Sequence, residues 1–369
     1  MPDYSQDVFL PGEHFPKDQS VPQRRDIQAA LQEYGISHCD QITLINSTHD
    51  ADDIRLNFII DKKWVLRFCN ASNMTEKRLH DFSRLIDRYQ SSGIMSPQFL
   101  PDRRGQFLHP WNKLVCYLSE YIDLPLAGES AIPDEEQLIC EVQDSVARFA
   151  EKYRDVDLSD TMGMYSLFDL CPFDIPNGID EKEDNFSQLI ALLQEENEHM
   201  LAEKLARRHA IIRNKLKSVY RTLPRCVFQG DENFSNILID PEGHFAGFID
   251  FNLSGTEVII NQLANLAGFD YDEKNKEPES AQKRLDYATA YFKKHITGML
   301  RLYHASQLEM QAIPWYAWIV MTAQWPTFCY FRHCIQDSKL KNEILDMLSL
   351  IAEIPDERLL PDQAFTSGV

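Results

Sequence analysis

Residues Cys226 to Asn252 read CVFQGDENFSNILIDPEGHFAGFIDFN. A short apolar run, Val227-Phe228, enters a tight Gln229-Gly230-Asp231 turn, and a polar loop continues to Asn236. The pattern of a β-hairpin follows. Its arms are Ile237-Leu238-Ile239 and Phe245 to Ile249, joined by the breaker-rich Asp240-Pro241-Glu242-Gly243. Two carboxylates, Asp231 and Asp250, stand where apolar strands end, with the carboxamide of Asn236 between them. A hairpin folds its ends together, so Asn236 and Asp250 are expected side by side, with Asp231 facing the same point. Such hard oxygen donors suit Mg2+, which takes few protein ligands and completes its octahedron with phosphate oxygens and water. Lone Asp and Asn residues are common in turns; the spacing and the hairpin together carry the signal.

Asp-x4-Asn, a hairpin, then Asp-Phe is the arrangement of protein-kinase-type phosphoryl transfer, where the first Asp orients a hydroxyl and the other two residues hold metal on the phosphates. The segment resembles the aminoglycoside phosphotransferase/choline kinase family, whose usual pattern is His-Gly-Asp-x4-Asn followed by Ile-Asp-Phe. Gln229 stands where that family usually has His. The resemblance implies Asp231 as the catalytic residue, Asn236 and Asp250 as Mg2+ ligands, and ATP or GTP as co-substrate.

The 369 residues, 44% of them hydrophobic, suffice for two lobes with real cores. A formal net charge of −20 argues against a nucleic-acid partner, which needs a concentrated basic face, and is compatible with a cationic small substrate. The eight cysteines are scattered without C-x-x-C spacing, so reduced thiols are expected rather than a disulfide framework or structural zinc. The N-terminus lacks the basic and apolar regions of a secretion signal, and no apolar run approaches a membrane span. A cytoplasmic protein without a membrane partner is expected.

Along the chain, residues 1 to about 22 read as a polar arm, and Asp26 to Tyr34 as a helix stopped by Gly35. Strand patterns follow at Ile42 to Ile45, Ile54 to Ile60 and Trp64 to Phe68, the last two joined by Asp61-Lys62-Lys63. In the resembling family the third strand carries a cation for the α/β-phosphates, which falls here on Arg67. The helix from Thr75 to Tyr89 offers Glu76 as partner for Arg67, with Asp81 second. The first hairpin, INSTHDADDIRL, contains no glycine, leaving Ser47 and Thr48 to supply phosphate-binding hydroxyl and N–H groups. Lys113 to Ile122 reads as an apolar strand turning polar at its end. The resemblance implies that this strand enters the interlobe hinge, where the backbone of Glu120, Tyr121 and Ile122 would read the nucleotide base.

Helices are expected over 134–153, 185–220, 280–303, 314–334 and 339–354, with another starting near Glu257. Residues 169–198 hold nine acidic side chains and one lysine, and read as a solvated face or a cation pocket around Asp174, Asp180 or Glu183. The aromatics between Trp315 and Phe331 read as core. Where the family usually shows Gly-Asp-Pro-x-x-Asp-Leu-Ala, whose second Asp braces the catalytic loop from behind, this chain offers Asn261 or Gln262. A brace of neutral amides, with less charge behind the loop, is therefore expected.

The expected fold is α+β, bilobal and protein-kinase-like. It divides into an N-terminal arm and helix (1–35), a β-rich N-lobe (36–122), a mostly helical C-lobe (123–355) and a tail (356–369). The resemblance implies transfer of the γ-phosphoryl group to a hydroxyl of a small molecule, an aminoglycoside-like or amino-alcohol acceptor. The alternative is a non-catalytic, nucleotide-binding or scaffold relative, favoured by Gln229, the glycine-free hairpin and the missing rear Asp.

Overall fold

The computed structural model describes residues 9, 15–16, 19–48, 50–70, 72, 74–172, 178–271 and 280–362. The chain divides into two units: Met1–Ala131 with Phe234–Glu242 and Ala246–Ile249, and Ile132–Asn233 with Gly243–Phe245 and Asp250–Val369. Asp174 and most of the expected N-terminal arm lie outside the described residues.

In the first unit, α1 (Arg24–Glu33) begins with a capping box between Gln23 and Asp26. Antiparallel strands β1 (Ile42–Asn46), β2 (Arg55–Ile60) and β3 (Trp64–Asn70) follow. Asp61 and Lys62, in the β2–β3 turn, both take φ 52°, the mirror-image turn geometry that matches strand twist. Helix α2 (Glu76–Gln90) is capped by Thr75, whose hydroxyl accepts the Arg78 N–H, and it buries Leu79, Phe82, Leu85 and Ile86. Strands β4 (Phe99–Leu100), β5 (His109–Trp111) and β6 (Leu114–Glu120) complete a sheet ordered β1-β2-β3-β6-β4, with β5 also on β6. Alternate residues on one face, Leu56, Phe58, Ile60, Leu66, Phe68, Cys116 and Leu118, join Ile27 and Leu31 in a single core. Burial of one full side chain of this kind is worth about 1.5–3 kcal/mol, so a strand slip of one residue, which would turn the whole set outward, is strongly disfavoured.

In the second unit, α3 (Glu135–Tyr153) is capped by Asp134. The single helix expected over 185–220 is two: α4 (Glu181–Glu195) and α5 (His199–Val219). The break is Asn197 at φ 65°, where Glu198 N–H returns to the Leu193 carbonyl (2.8 Å), a left-handed helix end that asparagine tolerates. Within the acidic segment, Asp180 and Glu183 both pair with Arg213 of α5, while Glu195 is exposed. Asp180 caps α4, is 2% exposed, and takes both Arg213 Nη groups at 3.0 and 2.7 Å. Glu183 takes His209 Nε2 (2.9 Å) and Arg213 Nε (3.1 Å), and the His209 hydrogen bond holds its carboxyl below the usual range. Asp180 and Glu183 thus direct their charge to α5.

Strand β7 (Arg225–Phe228) leads to the hairpin β8 (Ile237–Ile239) and β9 (Phe245–Phe248). Most of that hairpin belongs to the first unit, where Gly247 lies so close to Met95 that a Cβ would meet its carbonyl oxygen at 1.9 Å. The helix expected near Glu257 starts later. Residues Gly255–Val258 form β10, which pairs antiparallel with β7 because the buried backbone of β7 requires a ladder partner, and α6 (Ile259–Ala267) begins after it. Helices α7 (Ala281–Leu300), α8 (Gln307–Ala323), α9 (Trp325–Gln336) and α10 (Lys341–Glu353) complete the unit. The expected helix 314–334 is divided between α8 and α9. Pro326 has no N–H for the Thr322 carbonyl, and Gln324 turns extended (ψ 141°). Trp318, Phe328 and Phe331 are core, whereas Trp325 is half exposed. All eight cysteines are free thiols. No described helix is long and apolar enough to cross a membrane.

Candidate functional site

In the second unit, the turn after β7 is set by Gly230 at φ 85°. A Cβ there would lie 2.6 Å from the Leu253 carbonyl oxygen, so the left-handed backbone and the close approach both demand glycine. Gln229, fully buried, then uses both ends of its carboxamide. Its Oε1 accepts the Asp231 N–H (2.6 Å) and its Nε2 donates to the Asp250 carbonyl (2.6 Å). One neutral side chain therefore ties the residue expected to be catalytic to the backbone of the expected metal ligand, as the amide reading anticipated. Asn233 Nδ2 donates to Asp231 Oδ1 at 2.7 Å. Asp250 itself sits at φ 54°, a conformation rare outside glycine that Asp tolerates better than most residues, and such strain collects at functional sites.

The other half of the expected brace differs. Gln262, 1% exposed, does not reach the loop backbone; its Nε2 donates to Glu232 Oε1 (2.9 Å). Asn261 Nδ2 donates instead to the Tyr165 carbonyl (2.6 Å) and to Glu257 Oε1 (3.1 Å). Two carboxyl groups, Glu232 and Glu257, stand with these amides. Burial pushes Glu232 and Glu257 each up to about 7, and each keeps one Oε2 sealed from solvent without a hydrogen-bond partner. Sequence reading missed both. Glu257 marks an expected helix start, and Glu232 lies unassigned in the polar loop before Asn236.

In the first unit, Arg67 lies on central β3 rather than on an edge, in register with Asn57 of β2 and Tyr117 of β6. Its Nε donates to Asn57 Oδ1 (2.6 Å) and its Nη1 to the Tyr117 hydroxyl (3.3 Å), on the face opposite the apolar core. Glu76 does not serve as its ion-pair partner. Both Glu76 oxygens accept backbone N–H groups, from Phe107 (2.8 Å) and Leu108 (2.9 Å), so the carboxylate anchors the loop before β5. Asp81, the second choice, pairs with Arg84 at 2.6 Å. Thr48 is buried and its hydroxyl accepts the Arg55 N–H (3.1 Å), while Ser47 is exposed and its N–H donates to the Arg55 carbonyl (2.9 Å).

At the end of β6, the N–H groups of Glu120 and Tyr121 go to the Gln98 and Lys63 carbonyls, each at 2.8 Å. Ile122 forms no such backbone bond among the described residues. Asn236 is buried, and its carbonyl accepts the Ile249 N–H at 2.9 Å, closing the base of the hairpin. Among the described residues, one group of carboxylates and histidine has metal-like spacing, Glu33, Asp102 and His109. Arg104 already compensates it, with Nε 3.1 Å from Asp102 Oδ2.

With this geometry in place, the phosphotransferase enzyme family matches residues 48–305, well over half of the chain. No curated protein matches it in sequence. Two solved structures are similar in fold. One is amicoumacin kinase hAmiN in complex with AMP-PNP, Ca2+ and Ami: 11% identical, covering 89% of this chain and 93% of that one, with a TM-score of 0.52. The other is an aminoglycoside phosphotransferase from Alicyclobacillus acidocaldarius: 12% identical, covering 92% and 94%, with a TM-score of 0.51. A small β-rich unit, a large helical one and the Asp231 loop agree with that match, and the chain belongs to the phosphotransferase enzyme family, with its α+β, protein-kinase-like fold.

Proposed function

We propose that the chain transfers the γ-phosphoryl group of ATP or GTP to a hydroxyl of a small molecule, with an aminoglycoside-like or amino-alcohol acceptor as the class to test. The observation that carries this reading is the Gln229 clamp, which holds the Asp231 amide and the Asp250 carbonyl with one carboxamide. Asp231 orients the acceptor hydroxyl and takes its proton late, since this chemistry is mostly positioning and electrostatics. Asn236 and Asp250 provide the carboxamide and carboxylate oxygens that fit Mg2+; when bound, the ion neutralises charge on the phosphates. Arg67, steadied by Asn57 and Tyr117, serves the α/β-phosphates. Of the expected base-reading residues, Ile122 is the one whose N–H is not already committed to a neighbouring carbonyl. The similar amicoumacin kinase was solved with AMP-PNP and Ca2+, which supports a nucleotide and divalent-cation requirement.

One observation favours the alternative of a non-catalytic nucleotide-binding or scaffold protein. The β1–β2 turn presents Asp50, Asp52 and Asp53 where phosphates are expected, with Asp50 Oδ1 accepting the other two N–H groups. Thermal shift tests the nucleotide site, and ADP formation from Mg·ATP with the acceptors screened separates catalysis from nucleotide binding alone. Mg2+ with ATP or GTP should raise the melting temperature of the wild type by mass action, and Asp250→Ala should abolish the rise. No rise with either nucleotide would leave the scaffold reading standing. A rise unchanged in Asp250→Ala would remove Asp250 from metal binding.

A further inference from the structure

Two successive backbone N–H groups at Asp231 are held by side chains of the same loop. Asp231 N–H goes to Gln229 Oε1 (2.6 Å) and Gly230 N–H to Glu232 Oε1 (3.3 Å). Glu232 also receives Gln262 Nε2 from α6 at 2.9 Å. The carboxylate therefore sits between the loop and the helix and touches both. Glu232 is half-buried overall, but its Oε2 has no exposure and no partner, so no substrate atom fits against that oxygen. A buried acceptor left unsatisfied is costly, and burial raises the carboxyl to about 7. Residues held at such cost persist where the surrounding structure fixes them, here beside the left-handed Gly230 that admits no side chain.

On the helix, the position expected to carry a bracing acid holds the amide Gln262. On the loop, a polar position holds the acid. We propose that Glu232 and Gln262 form the rear brace of the catalytic loop with acid and amide exchanged, the carboxylate on the loop and the carboxamide on α6, and that Glu232 is a positioning residue for Asp231. Its neighbours agree with a structural rather than a substrate-binding role. Tyr165 is pushed well above its usual range first by burial and then by the charge of Glu232, ahead of Asp231, Glu181 and Glu257. The ring of Tyr165 also carries Lys182 Nζ 4.7 Å from its centroid.

This inference rests on the proposed phosphoryl transfer, and its test keeps the two separable. Full-length wild type, E232Q, Q262E and the double variant E232Q/Q262E are compared by ADP formation from Mg·ATP, with each acceptor screened and with water alone. Hydrogen exchange of the Gly230 to Asn233 amides and melting temperature are measured alongside. Q262E sets two carboxylates against each other and should lower kcat about 10–100-fold, as loss of outer-shell partners typically does. The KM for ATP should stay near wild type, and the loop amides should exchange faster. The double variant restores an acid–amide pair in the opposite order, and should recover both kcat and protection. A double variant no better than Q262E, or a Q262E that lowers only the melting temperature, would overturn the brace. If the wild type forms no ADP while exchange follows the same pattern, the brace stands and the phosphoryl-transfer reading falls.

Discussion

Two turns of this chain are expected to handle phosphate chemistry, and they are built in opposite ways. The Gln229 to Asp231 turn is held by buried side chains drawn from 34 residues of sequence, from Gln229 to Gln262, and by a glycine that admits no substitute. The β1–β2 turn is held by its own exposed carboxylate and carboxamide groups, Asp50 and Asn46 bonding to amides two or three residues on, and by Thr48. Such turns rest on hydrogen bonds local in sequence. The difference indicates where positional accuracy matters. On the proposed function it is invested at Asp231, expected to orient the hydroxyl, and not at the turn expected to cover the phosphates, as would suit a reaction whose barrier is lowered chiefly by orientation.

The comparison predicts its own ranking of effects. Asp231→Ala should lower turnover about 10²–10⁴-fold with nucleotide affinity near normal by calorimetry; wild-type-like turnover would take Asp231 out of the mechanism. Next comes Glu257, whose carboxyl rises from 4.5 to about 7 in the folded chain. A raised carboxyl favours folding below its unfolded value, and that contribution is lost as pH climbs through about 7. Glu257→Gln removes the loss, so the difference in stability, variant minus wild type, should grow between pH 5 and pH 8. The swing should be on the order of 3 kcal/mol, read as melting temperatures at the two pH values. A flat difference would mean that Glu257 is not the buried acid described.

Smaller again, Gln229→Leu keeps the packing but cuts the clamp. It should cost about 10–100-fold in kcat with little change in acceptor KM. A pure KM effect would sever Gln229 from Asp231 positioning. Smallest is Thr48→Val, which leaves the Arg55 N–H without its acceptor and should cost about 1 kcal/mol of stability without affecting nucleotide affinity. A fall in affinity instead would make the β1–β2 turn a true phosphate clamp and erase the contrast between the two turns.

What the sequence made legible was local and periodic. The three strands of the first sheet, the hairpin after Asn236 and the capped helix α2 follow from alternation, breakers and one threonine, and the structure has them within one or two residues. Two misplaced helix boundaries also had local signals. Asn197 is a left-handed helix terminator, and Ser306-x-x-Glu309 is a capping box that begins α8 well before Pro314. The misses without any such signal are partner choices across the fold. Nothing near Glu76 says that its carboxylate will meet the backbone of Phe107, 31 residues away. Nor does anything near Glu232 announce Gln262, 30 residues on. Charge in a sequence declares itself; the donor that will meet it does not.

The β8–β9 hairpin carries one more consequence, for biosynthesis. The first unit ends its leading segment at Ala131 but is completed by Phe234–Glu242 and Ala246–Ile249. Until those residues leave the ribosome, the Met95 N–H and carbonyl lack Ala246 and Phe248, and the Pro125 carbonyl lacks Ile239. At translation rates of about 5–20 residues per second, that wait is on the order of ten seconds. The nascent first unit must therefore survive as an unfinished body while nearly half of the second is being made. A slow codon run placed just after residue 131 would lengthen this vulnerable interval, whereas one placed after residue 249 would not.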